Sequence, residues 1–167
     1  MANHPHRLPR EHYRGKRTHF LTACTYFRRE LFRDPGACRL LIDQLMRASR
    51  KHWFELIAYV VMMDHIHVLV DGMRDDSDFH KWLDLFRQLS AYWEKRRSGS
   101  VLWQEGYWDY TLRDQDAVSG IASYIVWNPV EAQLVTRPEL YPYTGSDRFT
   151  VVELASIQPR TPPVGDF

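Results

Sequence analysis

The chain has 167 residues, of which 44% are hydrophobic, 14% aromatic and 26% charged. This length predicts one domain, and the apolar content is ample for a packed core, which excludes a disordered or fibrous protein. The formal net charge of +1 excludes attachment to DNA by overall charge alone.

The first half of the chain predicts two strands and one helix. Residues 1–17 form a basic segment that we expect to be a flexible arm. The β-prone segment 19–26 follows it. Asp34 and Pro35 then predict the start of an amphipathic helix over residues 35–52. The nearly continuous apolar run 54–63 is typical of a central strand.

The second half begins with an alternating strand. On residues 65–70, one face carries Ile66, Val68 and Val70, and the other carries His65, His67 and Leu69. Apolar residues at helical spacing predict a second helix over about 79–97, and the aromatic segment 101–112 is a strand or ordered loop. A third helix, capped by Asp114, is expected to end or kink at Asn128-Pro129, because the residue before proline avoids the helical conformation.

The order β-α-β-β-α-β-α predicts an α+β, ferredoxin-like fold with two helices on one face of an antiparallel sheet. The third helix would then lie on the open face. We expect a flexible arm over 1–17, a single catalytic domain over 18–150 and a C-terminal tail over 151–167. Two cysteines cannot form a disulfide framework, and no apolar stretch matches a signal peptide or a membrane span. A cytoplasmic location is therefore expected.

His65 and His67 are the first candidates for chemistry. The other face of their strand is wholly apolar and must contact the helices, so both imidazoles are predicted to lie on the open face of the sheet. Side chains at i and i+2 lie about 7 Å apart along a strand, close enough to bind one divalent ion. A His-x-His pair is a weak motif, and a structural pair without catalytic role is the alternative.

Tyr124 and Asn128 are the second candidates. Residues at i and i+4 share a helix face, and here they flank the apolar stripe of the third helix. Laid on the open face of the sheet, this helix would direct a phenol and a carboxamide toward His65 and His67. The alternative is that Tyr124 is a boundary aromatic residue and Asn128 a residue favoured beside Pro129.

The four residues together fit one reaction. A tyrosine hydroxyl is a poor nucleophile until a cation and a pre-organised electrophile assist it. A metal ion held by two imidazoles and one amide oxygen would polarise a phosphodiester and stabilise the charge that develops on its oxygens. Attack by Tyr124 would give a phosphotyrosine bond and free a 3′-hydroxyl. The bond energy is kept, so the strand can be rejoined without ATP.

Three segments resemble one protein family, the REP-associated tyrosine transposases. His65-Ile66-His67 resembles the HUH motif (His, hydrophobic, His) of single-tyrosine transposases. The segment from Tyr124 to Val130 is similar to the family's Tyr-Ile-x-x-Asn-Pro-Val. The segment 103–114 is similar to its Trp-Gln-x-x-Phe-Trp…Arg-Asp region. The similarity runs from about Tyr13 to Tyr143.

The resemblance implies a role for each residue of the site. His65, His67 and Asn128 would be ligands of Mg²⁺ or Mn²⁺, and Tyr124 the nucleophile. The family acts on single-stranded DNA next to REP-like hairpins, and its REP-associated branch resembles a monomer, although related insertion-sequence enzymes form dimers. Asp64 would either orient His65 or be a turn residue, and the sequence favours the turn.

DNA contacts are expected from two basic clusters and one aromatic segment. The cations would neutralise phosphates, and the aromatic rings would stack on unpaired bases or else pack in the core. The candidates are Arg14, Lys16, Arg17, Lys95, Arg96, Arg97, Trp103, Tyr107 and Trp108.

Two other functions are compatible with parts of this sequence. A non-catalytic module that binds RNA or single-stranded DNA would use the same sheet, but RNA-binding sheets carry aromatic residues where this one offers His65 and His67. A phosphodiester hydrolase with two catalytic histidines would need a second His motif. The remaining histidines do not supply an equivalent pair: His4, His6, His12, His19, His52 and His80.

Overall fold

The computed structural model describes residues 8–113 and 115–163. Five strands form one antiparallel sheet in the order β4-β1-β3-β2-β5. The strands are β1 (Thr18–Cys24), β2 (Phe54–Val61), β3 (His65–Gly72), β4 (Trp108–Thr111) and β5 (Thr144–Gly145). The helices are α1 (Pro35–His52), α2 (Phe79–Ser98), α3 (Gln115–Glu131) and α4 (Val151–Ala155). The predicted ferredoxin-like plan is confirmed, with β5 as a short additional strand.

Local sequence signals fix the ends of α1 and α2. The Asp34 carboxylate accepts a hydrogen bond of 2.7 Å from the Gly36 N–H, and the Asp78 carboxylate caps α2 in the same way. α1 ends where Trp53 adopts a left-handed conformation. α2 ends at Gly99, whose φ of +74° suits a residue without a side chain. The predicted boundaries of both helices are therefore confirmed.

The sheet separates two hydrophobic cores. On one face, Ile66, Val68 and Val70 pack with side chains of α1 and α2. On the other, Leu69 packs with Ile121 and other residues of α3. The alternation predicted for β3 is thus confirmed, and α3 lies on the face that α1 and α2 leave open.

The helix α3 does not end at Asn128-Pro129, one of the two outcomes predicted there. It continues through Pro129 to Glu131, and a kink at this point stays a prediction. Proline removes one N–H donor, but helical bonding resumes after it, because the Ala132 N–H donates to the Asn128 carbonyl over 2.9 Å. Pro129 is itself buried. The predicted cap, Asp114, lies outside the described residues.

Both terminal segments pack on the domain. Residues 10–13 form a 3-10 turn that buries Tyr13, so this part of the expected arm is fixed, while residues 1–7 lie outside the described range. In the tail, Leu154 of α4 is buried in the core that contains α3 residues, and the Arg160 N–H donates to the Gly120 carbonyl of α3 over 2.9 Å. The helices in the described part of the chain include none with the length and apolarity to cross a bilayer.

Burial of His19 links stability to pH. Its ring is fully buried in β1, with Nδ1 3.0 Å from the Thr111 hydroxyl. Desolvation, aided by His80 and Arg17, lowers its pKa from 6.5 to about 3. Below pH 6.5, therefore, His19 binds a proton in the unfolded chain but stays neutral in the folded chain. The stability that neutral His19 provides is complete above pH 6.5 and declines as the pH falls toward 3.

We predict that His19→Phe weakens this pH dependence. Phenylalanine keeps an aromatic ring against Phe79 but carries no ionisable group. Between pH 7.5 and 5.5, the free energy of unfolding of the wild type should fall by about 1.4 kcal/mol more than that of the variant. Urea denaturation at the two pH values measures the difference. Equal losses would show that His19 does not resist protonation.

Candidate active site

His65 and His67 lie side by side at the start of β3, on the face covered by α3. Their ring centroids are 4.7 Å apart. His67 is buried, and Phe20 of β1 stacks on it at a centroid distance of 5.5 Å. The prediction that both imidazoles lie on the face away from α1 and α2 is therefore confirmed.

Asp64 fixes the orientation and the tautomer of His65. An Asp64 carboxylate oxygen lies 2.6 Å from His65 Nδ1. An ionised carboxylate only accepts hydrogen bonds, so Nδ1 carries the proton and the Nε2 lone pair is available to a metal. The second carboxylate oxygen of Asp64 lies 2.9 Å from Nε of Arg28, which forms an ion pair with it. Asp64 thus orients His65, the role that the sequence did not favour.

Thr22 orients His67 through its Nδ1, as Asp64 orients His65. Its hydroxyl oxygen lies 2.7 Å from His67 Nδ1, across the β1–β3 pairing that places these two residues opposite one another. When Nδ1–H donates to this hydroxyl, the Nε2 lone pair of His67 is available as well. Nothing near His67 in the sequence points to Thr22, because their contact arises from strand pairing across 45 residues.

Both imidazoles are held neutral, as metal ligation requires. Burial lowers the pKa of His65, although Asp64 opposes the shift. Burial lowers the pKa of His67 well below its ordinary value, and the nearby His65 and Arg28 add to the effect.

α3 brings Tyr124 to the histidines. The Tyr124 ring is half-buried, and its centroid lies 6.0 Å from that of His67. One turn later, the Asn128 amide nitrogen donates to the Tyr124 carbonyl over 2.9 Å. The carbonyl oxygen of the Asn128 amide is then the end of the group that can accept or ligate.

The side chains of this site can hold a divalent ion only by combining imidazole ligands with an amide oxygen. Within residues 8–113 and 115–163, no group of three or more His, Cys, Asp and Glu side chains is gathered for a metal. Two neutral imidazoles with an amide oxygen and water suit a divalent ion such as Mn²⁺. The Nδ1 partners on both rings match the outer contacts that such ligands usually have. The two imidazoles therefore fit a divalent metal, and the Asn128 amide oxygen on α3 would be its third protein ligand.

Of the three aromatic residues expected to stack on DNA, one is buried and two are half-buried. Trp103 is 8% exposed, and its indole N–H donates to Ser90 over 2.9 Å. Tyr107 is half-buried beneath Arg87, whose guanidinium lies 5.5 Å from the ring centroid. Trp108 is half-buried too. Their contact with DNA stays a prediction, and burial disfavours it for Trp103.

The basic residues occupy two separate surfaces. Arg14, Lys16 and Arg17 are exposed before β1 and line an open cavity of about 540 Å³ with Arg113, although Arg14 is also paired with Asp78. Three further cations lie at the end of α2. They are Lys95 and Arg96, which are exposed, and Arg97, which ion pairs with Glu94 and Asp34. Lys16 and Arg17 are therefore better placed than Arg97 to meet a phosphate.

Comparison with known proteins places this geometry in a family. The family model described as "Transposase IS200 like" matches residues 14–128. A Haemophilus influenzae protein assigned to the REP-associated tyrosine transposases is 25% identical over 113 residues, which cover 60% of this chain and 64% of that protein. The Escherichia coli K12 REP-associated tyrosine transposase is 23% identical over 107 residues, or 64% of this chain and 62% of the relative. The match thus spans less than two thirds of both curated relatives.

A solved structure shares the fold. A REP-associated tyrosine transposase bound to a REP hairpin matches with a TM-score of 0.71 and 20% identity, covering 98% of this chain and 94% of that one.

We predict that Thr22→Val weakens divalent-metal binding. Valine keeps the buried volume of Thr22 but leaves His67 Nδ1 without its partner. Loss of such an outer contact typically costs 10- to 100-fold in metal affinity. Titration calorimetry with Mn²⁺ measures the change, and Thr22→Ser, which keeps the hydroxyl, is the matched control. Equal Mn²⁺ affinity of Thr22→Val and the wild type would contradict the role of Thr22.

Proposed function

Because the chain belongs to the family of IS200-like transposases, we propose that it cleaves and rejoins single-stranded DNA with Tyr124 as nucleophile. The observation that carries this proposal is the position of the Tyr124 ring, 6.0 Å from the buried imidazole of His67. His65 and His67 both have partners on Nδ1, so their Nε2 atoms can hold a divalent ion beside this phenol.

The reaction follows from the chemistry of the phenol. The bound ion would polarise the scissile phosphodiester and stabilise the charge on its oxygens. The Tyr124 oxygen attacks the phosphorus as the bond from phosphorus to the 3′ oxygen breaks, and the proton that the phenol loses is balanced by the proton that the leaving 3′ oxygen gains. The products are a 5′-phosphotyrosine and a free 3′-hydroxyl. In the reverse direction, a 3′-hydroxyl attacks the phosphotyrosine and restores the phosphodiester and the phenol.

We infer that a single chain supplies the residues of the site. Tyr124 and the two histidines belong to the same copy, and α3 packs directly on β2 and β3. The proposed chemistry therefore needs no residue from a second copy, which is in line with a monomer.

A hairpin of the REP type is the proposed substrate. The solved relative is bound to such a hairpin, and both curated relatives bear the REP-associated name. The exposed cations before β1 offer a surface for the DNA backbone. Lys16 and Arg17 lie there at the start of β1, whereas His65 pairs with Cys24 at its end. We infer that the hairpin contacts Lys16 and Arg17 while its single-stranded flank reaches Tyr124.

We predict that Tyr124→Phe abolishes a covalent protein–DNA adduct. The protein is incubated with end-labelled hairpin DNA carrying a single-stranded flank and Mn²⁺, and the products are separated under denaturing conditions. The wild type should retain labelled DNA on the polypeptide, and Tyr124→Phe should not, since it lacks the attacking oxygen. Tyr92→Phe, which changes an exposed tyrosine of α2, is the control. Binding without any adduct in the wild type would favour a non-catalytic module.

Hairpin binding should also depend on Lys16 and Arg17. We predict that replacing both with Gln makes the slope of log affinity against log salt concentration shallower by about 0.9 per lost phosphate contact. The matched control replaces Arg47 and Arg50, two exposed cations of α1, with Gln. Fluorescence anisotropy at several salt concentrations measures the slopes. An equal change in both double variants would reflect overall charge and contradict a local binding surface.

A further inference from the structure

The loop that follows β1 presents two aromatic side chains to solvent. Phe27 is 78% exposed, more than any other large apolar side chain of the described residues, and Tyr26 is 39% exposed. Their rings meet edge to face, with centroids 4.3 Å apart. Clustered apolar surface of this kind marks interaction sites.

The backbone of this loop is strained and firmly held. Phe27 and Arg28 have φ angles of +53° and +55°, a left-handed conformation that bulky side chains rarely adopt. The Tyr26 N–H donates to the Leu102 carbonyl over 2.8 Å, and the Arg28 N–H donates to the Thr25 carbonyl over 2.9 Å. Backbone strain persists only where the surroundings enforce it, and it concentrates at functional sites. The fold thus holds the Phe27 ring outward.

The loop also adjoins the candidate active site. Arg28, the next residue after Phe27, contacts Asp64 over 2.9 Å, and Asp64 in turn contacts His65 over 2.6 Å. The loop that carries Phe27 is therefore linked to His65 through two successive side-chain contacts.

The charge around the rings suits a nucleic acid. Arg28 and Arg29 follow Phe27 directly, and the Arg29 guanidinium lies 5.8 Å from the Tyr26 ring centroid. The Arg29 side chain is positioned by a 2.9 Å hydrogen bond to the Val101 carbonyl. Proteins bind single strands by stacking bases on aromatic rings while nearby cations meet the phosphates. Tyr26 and Phe27 supply the rings, and Arg29 supplies the cation, since Arg28 is already paired with Asp64.

We infer that Tyr26 and Phe27 form a stacking platform for an unpaired base of the single strand, next to the phosphate that Tyr124 attacks. The inference rests on the proposed function, because it assigns the partner of this loop as the cleaved strand. It also assigns base stacking to Tyr26 and Phe27, whose rings are exposed to solvent, instead of to Trp103, which is buried.

The test uses a hairpin with a 5′ single-stranded extension that carries the fluorescent base 2-aminopurine at each position in turn. Stacking on an aromatic ring quenches this base. Binding is measured without divalent metal, so that the DNA stays intact. Phe27→Asn removes the ring, and asparagine tolerates the left-handed backbone. Phe27→Tyr keeps the ring and is the matched control. Thermal unfolding checks that both variants fold.

The wild type and Phe27→Tyr should quench 2-aminopurine at one or two positions of the extension. Phe27→Asn should lose this quenching and bind the extended hairpin about 5- to 100-fold more weakly. All three proteins should bind a blunt hairpin without extension equally well. The inference is wrong if Phe27→Asn loses affinity equally for both DNAs. It is also wrong if the variant loses affinity for neither.

The adduct assay separates this inference from the proposed function. If the wild type forms an adduct on Tyr124 and Phe27→Asn binds DNA as the wild type does, the stacking inference is wrong and the proposed cleavage activity is supported. Quenching that depends on Phe27, in a wild type that forms no adduct, supports the platform and overturns the cleavage. A wild type that binds neither DNA overturns both.

Discussion

The antiparallel pairing of β1 with β3 is the constraint on which the site depends. This register sets Thr22 opposite His67 and Cys24 opposite His65. It therefore places the Thr22 hydroxyl on His67 Nδ1, and it brings the loop after β1 to the start of β3, where Arg28 holds Asp64. A slip of one residue would turn every side chain of β3 to the other face, moving both imidazoles into the core beneath α1 and α2.

The second requirement is a helix on the open face of the sheet. α3 buries Ile121 and Ile125 against the sheet and leaves Tyr124 half-buried beside His67. The tail reinforces this arrangement, because the Ser123 hydroxyl donates to the Ile157 carbonyl and the Trp127 indole to the Ala155 carbonyl. The position of Tyr124 is thus fixed by packing on two sides.

Sequence periodicity predicted β1 to β3, α1 to α3 and the face of the sheet on which His65 and His67 lie, because alternation and helical spacing are local properties of the chain. It did not predict β5 or α4. The resemblance to REP-associated tyrosine transposases is confirmed by the family model and the relatives. The contacts of Thr22 and Arg28 were not predictable, since they depend on the register between distant strands. Composition also left open whether each aromatic residue stacks on DNA or packs in the core, because it does not distinguish a buried ring such as Trp103 from an exposed one such as Phe27.

The central claim is that two imidazoles and one phenol surround a common ion, and paramagnetic NMR tests it most directly. The protein is labelled with ¹³C in its His and Tyr rings and titrated with Mn²⁺, which broadens signals of nearby nuclei. The account predicts that His65, His67 and Tyr124 broaden together, before the other rings. Broadening of the two histidines with a sharp Tyr124 signal, or of other histidines first, would contradict it.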